Sequence, residues 1–328
     1  MQKINLISQA NPNMWQSFYN EFKELFKVEF VFSTIPVHAD FHVIVEDHSK
    51  LKVANSRERI ARIITEPPEI VKYSQKYLSQ FGSIISPEFP YLKHLPNYKF
   101  GRGLLPRQAG LAFRNEGDIQ KFTVSELCSS ERDTRSDSIS IIISDKRITP
   151  QQNVRLELVD YLKKILPNLE VYGRGFNPIS DKAEVMLKNK YHLVIENSTY
   201  SGYWTEKLVD PILCGNQIFY VGDPDVSKIF PSVIQLSLNR FDECANLIQM
   251  HIKQDLYMEN QALRDADLNT YLSKENLLCV LEKWALSSKY PKYAEMSISI
   301  LKPGMRPMKS YVSRVMRLIR RLFFMAEV

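Results

Sequence analysis

Residues 173 to 231, GRGFNPISDKAEVMLKNKYHLVIENSTYSGYWTEKLVDPILCGNQIFYVGDPDVSKIFP, hold the residue types from which a site for an anionic, hydroxyl-bearing ligand could be built. Glu196 and Asn197 end an apolar run, the place where open parallel sheets put their ligand sites. A short polar loop, STYSGYW, follows. Thr205 then caps a helix whose first turn carries Glu206 and Lys207. A lysine at a helix start opposes the macrodipole at a cost of roughly 0.3–1 kcal/mol, and a phosphate placed there would reverse that penalty. By spacing alone, the same T-E-K also reads as an ordinary capped and solvated helix start.

The elements that would position these residues alternate along the chain. In the first third, INLIS (4–8), VEFVFSTI (28–35), FHVIVE (41–46), RIARIIT (59–65) and SIIS (83–86) read as strands, with helix-length segments at 14–26 and 69–81 between them. That alternation predicts a parallel sheet with covering helices. Polar, charged residues 129–137 read as a linker or exposed crossover. SISIIIS (138–144) then opens a second series as a strand buried on both faces. The helix over 153–166 follows, then LEVYG, YHLVIEN, QIFYVG and IQLSL. The expected organisation is α/β: an N-terminal αβ domain over 1–136, a second Rossmann-like domain over 137–301, and a tail over 302–328. Neither GRG segment extends to a G-x-G-x-x-G or Walker A pattern, so a phosphate would have to be held by side chains and helix N-termini.

The stretch YHLVIENSTYSGYWTEKLVDPILCGNQIFYVGDP resembles the donor-binding signature of glycosyltransferase family 10, the α-1,3/4-fucosyltransferases, in a bacterial-type form. Similarity continues upstream through SDKRITPQQNVRLELVDYLKKI and VYGRGF, and more weakly to RIARIITEPPEI. The resemblance implies a GT-B-like fold, two Rossmann-like αβα domains facing across a cleft, with the nucleotide sugar held mainly by the second. It implies inverting transfer of L-fucose from GDP-fucose to a sugar hydroxyl, with no metal required. By motif position, Asn197, Tyr203 and Glu206 would lie around the fucose, Arg155 and Lys207 would face the diphosphate or ribose, and Glu66 would be the general base.

Those residue types suit the chemistry. The acceptor hydroxyl attacks as the diphosphate leaves, so a carboxylate must take a proton on one face and cations must receive charge on the other. An arginine offers a planar fork for phosphate oxygens and a lysine a point charge. Arg147 and Arg174 are alternatives to Arg155, and Glu69 is the alternative to Glu66. Lys182 resembles a family position but has no role derivable from the sequence. Gln217, where many relatives carry proline, and Trp204 beside Tyr203 depart from the family pattern and leave room for another nucleotide sugar. A catalytically silent nucleotide-sugar-binding protein at a membrane is the further alternative.

Asp223-Pro224-Asp225 and Asp265-Ala266-Asp267 imitate a metal-binding D-x-D, but three-residue matches are common and no metal is expected. His192, inside an apolar strand, reads as a core residue. The four cysteines lack the close spacing of zinc or redox sites and read as reduced thiols.

The formal net charge of +6 sits in the tail, where residues 302–328 carry seven basic residues and one acidic. The remaining 301 residues are balanced, which argues against a nucleic-acid-binding body. On a helical projection the tail's arginines gather on one arc and its large apolar residues on the other, a pattern suited to an anionic membrane surface. With no apolar run of spanning or signal-peptide length, the expectation is a cytoplasmic protein, peripheral on the inner face of the membrane, acting on a glycan acceptor such as lipopolysaccharide.

Overall fold

The computed structural model describes residues 1–8, 12–45, 50–111, 120–132, 134–147, 149–287 and 297–301. The basic segment 302–328, expected as an amphipathic helix, lies outside the described residues.

Seven strands come first: β1 (Lys3–Ile7), β2 (Glu29–Ser33), β3 (Phe41–Ile44), β4 (Lys50–Ala54), β5 (Ile60–Ile63), β6 (Ser83–Ser86) and β7 (Tyr98–Phe100). All but β4 form one parallel sheet in the order β2-β1-β3-β5-β6-β7. The second sheet is also parallel, built from β8 (Ser136–Ile142), β9 (Leu169–Tyr172), β10 (Asn189–Ile195), β11 (Gln217–Val221) and β12 (Ile234–Gln235). Its order, β12-β11-β10-β8-β9, reverses between β8 and β10, and a crevice therefore opens at their carboxyl ends. Two helix-flanked parallel sheets make the GT-B-like arrangement.

Burial explains the strand composition. Every residue of β10 and β11 is buried, as apolar strands covered on both faces must be. His192, in the middle of β10, is satisfied by Ser140 Oγ at 2.8 Å from Nδ1, and burial holds its imidazole down at about 3. The helix Pro150–Ile165 starts where Thr149 and Gln152 form a reciprocal capping box with proline at the first turn. It buries Leu156, Leu158, Val159 and Leu162 against the sheet.

The helix-length segment at 69–81 contracts to Gln75–Leu78. Pro67 sets a turn in which its carbonyl accepts from both Ile70 and Val71. Tyr73 is drawn inward, where its hydroxyl accepts from the fully buried Arg62 at 3.0 Å and its ring stacks on Tyr77. A buried guanidinium without partners would cost several kcal/mol, so tertiary pairing overrides the local helical pattern.

The end of the described chain returns to its beginning. The helix Leu277–Ser287 packs on the first sheet, with Trp284 edge-on to Phe41 at 5.3 Å and its indole N–H donating to Ser83 Oγ at 3.0 Å. Strand β13 (Ser297–Leu301) then pairs antiparallel with β4. One apolar cluster consequently runs from Ile4 and Phe41 through Leu208 and Ile212 to Trp284, uniting both halves. Trp284→Ala, which removes a large buried side chain and an interior hydrogen bond, should lower unfolding stability by about 3–5 kcal/mol. Urea denaturation measures this, and a loss below about 1 kcal/mol would show that the helix is not part of the common core.

Candidate functional site

At the carboxyl ends of β8 and β10 the two halves enclose a cleft of about 710 Å³. From the second half it is lined by Ser144, Lys146, Gln152, Arg155, Lys182, Asn197, Glu206 and Lys207, and from the first by Glu66, Glu69 and Gln108. The turn at 173–179 supplies a more apolar wall with Phe176, Pro178 and Ile179. Gly173 is obligatory in this turn: it has φ +112°, and a Cβ there would meet the Ile143 carbonyl oxygen at 2.3 Å.

The E-N-S…T-E-K spacing is explained by one clamp. Glu196, fully buried at the end of β10, accepts from the Thr205 amide at 2.7 Å and from its hydroxyl at 2.9 and 3.0 Å. The clamp closes the loop between strand and helix. Thr205 Oγ1 in turn caps the helix Glu206–Leu213 by accepting from the Lys207 amide at 3.3 Å. Glu196 is thus a structural staple, and burial raises its carboxyl pKa.

The charged groups around this helix start balance one another. Lys207 Nζ lies 3.1 Å from Thr205 Oγ1, 3.5 Å from Glu196 and 3.6 Å from Glu206. Lys182 Nζ bridges Glu206 at 3.3 Å and Asp210 at 3.1 Å. Burial disfavours the Glu206 carboxylate, but Lys207 and Lys182 outweigh it and hold the group at about 2. Burial likewise opposes the Lys207 ammonium, yet Glu206 and Glu196 leave its pKa raised. Arg155, nearly fully buried, donates to Asn197 Oδ1 at 2.9 Å and to the Ser144 carbonyl at 3.0 Å. This fixes the orientation of the planar Asn197 amide. The Arg155 Nε is buried without a hydrogen-bond partner among the described residues.

Of the residues singled out in the sequence, Glu66, Arg155, Asn197, Glu206 and Lys207 meet on this one cleft. The alternatives Glu69 and Arg174 also line it, whereas Arg147 does not. Tyr203 does not line it either. Its ring is buried against Phe89 of the first half at 6.0 Å, and Tyr200 packs on the same Phe89 at 5.4 Å. Tyr200 also donates to Glu69 Oε1 at 2.6 Å, a bond that pushes the phenol up to about 12. The aromatic loop therefore docks the second half onto the first. Glu66 is exposed at the end of β5, while Glu69 is half-buried.

Sequence reasoning missed Gln108, Ser144 and Asp210, and left Lys182 without a role. Asp210 carried a signal, since an aspartate inside the apolar run LVDPIL must find a partner once buried. Asp223 and Asp225, the D-x-D pair, are occupied within the protein: Asp223 accepts from the amides of Gly202 and Asp225, and Asp225 pairs with Lys228. Asp265 pairs with Arg132, and Asp267 accepts from Ser232. Among the described residues no group of three or more His, Cys, Asp or Glu side chains could hold a metal ion, and no helix is long and apolar enough to cross a membrane.

Residues 133–262 match the family model described as glycosyltransferase family 10 (fucosyltransferase), C-terminal part. The match spans 130 of the 328 residues, around the second sheet. A solved α1,3-fucosyltransferase with GDP is 17% identical, with a TM-score of 0.50 over 84% of this chain and 91% of that one. An α-glucosyltransferase in complex with UDP and a 13-mer DNA is 11% identical, with a TM-score of 0.53 over 87% and 99%. Anabaena HepE in complex with UDP and glucose is 10% identical, with a TM-score of 0.50 over 88% and 99%. At these identities the likeness is one of fold. Among proteins of curated function, no sequence matches the chain.

Two measurements probe the clamp and its charges. Thr205→Ala removes the helix cap and the hydroxyl donor to buried Glu196, while the amide donor remains, so it should cost about 1–3 kcal/mol in urea unfolding. A loss under about 0.5 kcal/mol would contradict the clamp. Glu206 titrates below its ordinary 4.5 in the folded protein, so its stabilisation is present above that value and is lost as pH falls towards 2. Glu196 and Asp210, both raised by burial, act in the opposite sense. Glu206→Gln should therefore flatten the acid limb of thermal stability relative to the parent chain, and parallel pH profiles would refute the ionised assignment.

Proposed function

We propose that the chain is an inverting fucosyltransferase that moves L-fucose from GDP-fucose to a hydroxyl of a glycan such as lipopolysaccharide. The observation that carries this reading is the composition of a single cleft. An exposed carboxylate, Glu66, lines it from the first half, and Arg155, Lys182 and Lys207 line it from the second together with Glu206.

In this mechanism Glu66 takes the proton from the acceptor hydroxyl as its oxygen attacks the anomeric carbon. The bond to the diphosphate breaks on the opposite face, and the electron pair leaves with GDP. Lys207 and Arg155 stabilise the charge that gathers there, in a site already polarised before the donor arrives. Arg155 has a second task, since its bond to Asn197 aims that amide. Glu206, held ionised, accepts from sugar hydroxyls and supports positive character developing on the ring. Tyr203 acts from behind, by fixing the loop that joins Asn197 to Glu206. The side chains are proposed to work without a metal ion.

A second reading keeps the mechanism but uses a uridine-linked sugar, because the similar folds include an α-glucosyltransferase with UDP and HepE with UDP and glucose. The basic segment 302–328 is proposed to hold the enzyme on the anionic inner face of the membrane, near a lipid-linked acceptor.

Thermal unfolding with GDP, UDP, CMP and their sugars tests the donor, since a ligand at about 100 times its dissociation constant adds about 2.7 kcal/mol. Stabilisation by GDP compounds alone is expected, and selective stabilisation by UDP or CMP compounds would replace fucose with another sugar. Glu66→Gln should lower turnover by about 10²–10⁴-fold while GDP affinity stays within about twofold. Unchanged turnover would remove Glu66 from the mechanism. Arg155→Ala should weaken GDP binding by roughly ten- to a hundredfold, and unaltered affinity would sink its assignment to the diphosphate.

A further inference from the structure

Gln108 enters the cleft on a backbone that is held unusually firmly from the other half of the molecule. Its amide donates to Asp210 Oδ1 at 2.7 Å, and two residues later the Gly110 amide donates to Asp181 Oδ1 at 2.8 Å. Both aspartates are fully buried. Asp181 also caps the helix Lys182–Lys188 through the Ala183 amide at 2.9 Å, and the second oxygen of Asp210 faces Lys182. The segment is stitched from within as well. Buried Arg107 donates to the Ala109 carbonyl and, at 3.2 Å, to that of Phe122. Gly110 has φ +81°, and a Cβ there would meet the Phe122 carbonyl oxygen at 2.9 Å.

Burying two carboxylates is costly, and binding two alternate amides gives a conformation with little freedom. That conformation presents one polar side chain to the cleft, the half-buried carboxamide of Gln108. Among the described residues this carboxamide makes no hydrogen bond, so its oxygen and both N–H groups remain available. The contacts of its backbone amide with Asp210, of Asp210 with Lys182 and of Lys182 with Glu206 tie Gln108 to the helix start that carries Glu206, whose carboxylate suits hydroxyls. A carboxamide can donate to one hydroxyl and accept from its neighbour, which suits a vicinal diol.

We propose that Gln108 is a further donor-binding residue that recognises hydroxyls of the transferred sugar, and that Asp210 is the positioning residue that aims it. The inference rests on the nucleotide-sugar reading above and adds to it how the sugar, as distinct from the nucleotide, is recognised. Gln108 then discriminates between sugars by the hydroxyl pattern it meets. Asp210 holds the backbone of Gln108 with one oxygen and Lys182 with the other, so Gln108 and Asp210 are energetically coupled in sugar binding.

Isothermal titration of the full chain with GDP and GDP-fucose, and with UDP and UDP-glucose, tests this. Gln108→Ala should weaken the nucleotide sugar that the parent chain binds by about five- to tenfold, and leave the matching nucleotide within about twofold. Asp210→Asn should weaken the same nucleotide sugar, and the double variant should show less than the product of the two single effects. Should Asp210→Asn fail to fold, Asp181→Asn, which loosens the segment at Gly110, takes its place in the cycle. Equal affinities of Gln108→Ala and the parent chain for the nucleotide sugar overturn the inference and leave the donor reading standing. Multiplicative effects in the cycle overturn the role of Asp210. If the parent chain binds none of the four compounds, the donor reading and the inference fall together.

Discussion

The bonds from buried Glu196 to the amide and hydroxyl of Thr205 are the constraint on which the rest of the site depends. They turn the end of a strand, a seven-residue loop and the start of a helix into one rigid piece. Asn197 and Lys207 keep their places because the residues next to them are fixed. The carboxylate is fully buried, so its cost is offset only by ideal geometry and by the nearby Lys207. Losing one partner leaves a charge with nowhere to go.

Around that staple, the buried cations Arg155 and Lys182 and the partly exposed Lys207 interleave with Glu196, Glu206 and Asp210. No single pair explains the arrangement. Lys182 touches two carboxylates, and Glu206 touches two lysines, so each group is held by several neighbours. Low polarity of the surroundings strengthens every such contact and makes any vacancy expensive. In the proposed mechanism this gives a site whose charges are in position before the donor enters. The same network reaches Gln108 through Asp210, which joins the cleft wall of the first half to the helix of the second.

The two halves are also joined by apolar surface. Tyr200 and Tyr203 project from the signature loop onto Phe89, and Trp284 returns from the far end of the chain to Phe41 and Ser83. A loop that joins Asn197 to Glu206 at the cleft therefore also forms part of the contact between the two halves. Any movement between the sheets would be felt at Asn197 and Glu206, because they flank that loop.

The alternation of apolar runs and helical segments, the N-cap at Thr205, and the meeting of Glu66, Arg155, Asn197, Glu206 and Lys207 were legible in the sequence. They rest on local spacing and on a signature whose order along the chain is also its order along one strand and one helix. The inward turn of Tyr203, the contraction of the helix at 69–81, and the partners of Asp210 and Lys182 were not. Each is settled by residues far away: Phe89 for Tyr203, Arg62 for Tyr73, Gln108 for Asp210. Sequence determined which side chains carry charge and which elements hold them, because periodicity and capping are short-range properties of the chain. Only the tertiary structure decided which charges neutralise one another and which aromatics become an interface, because burial, and with it the need for a partner, exists only after the two sheets have come together.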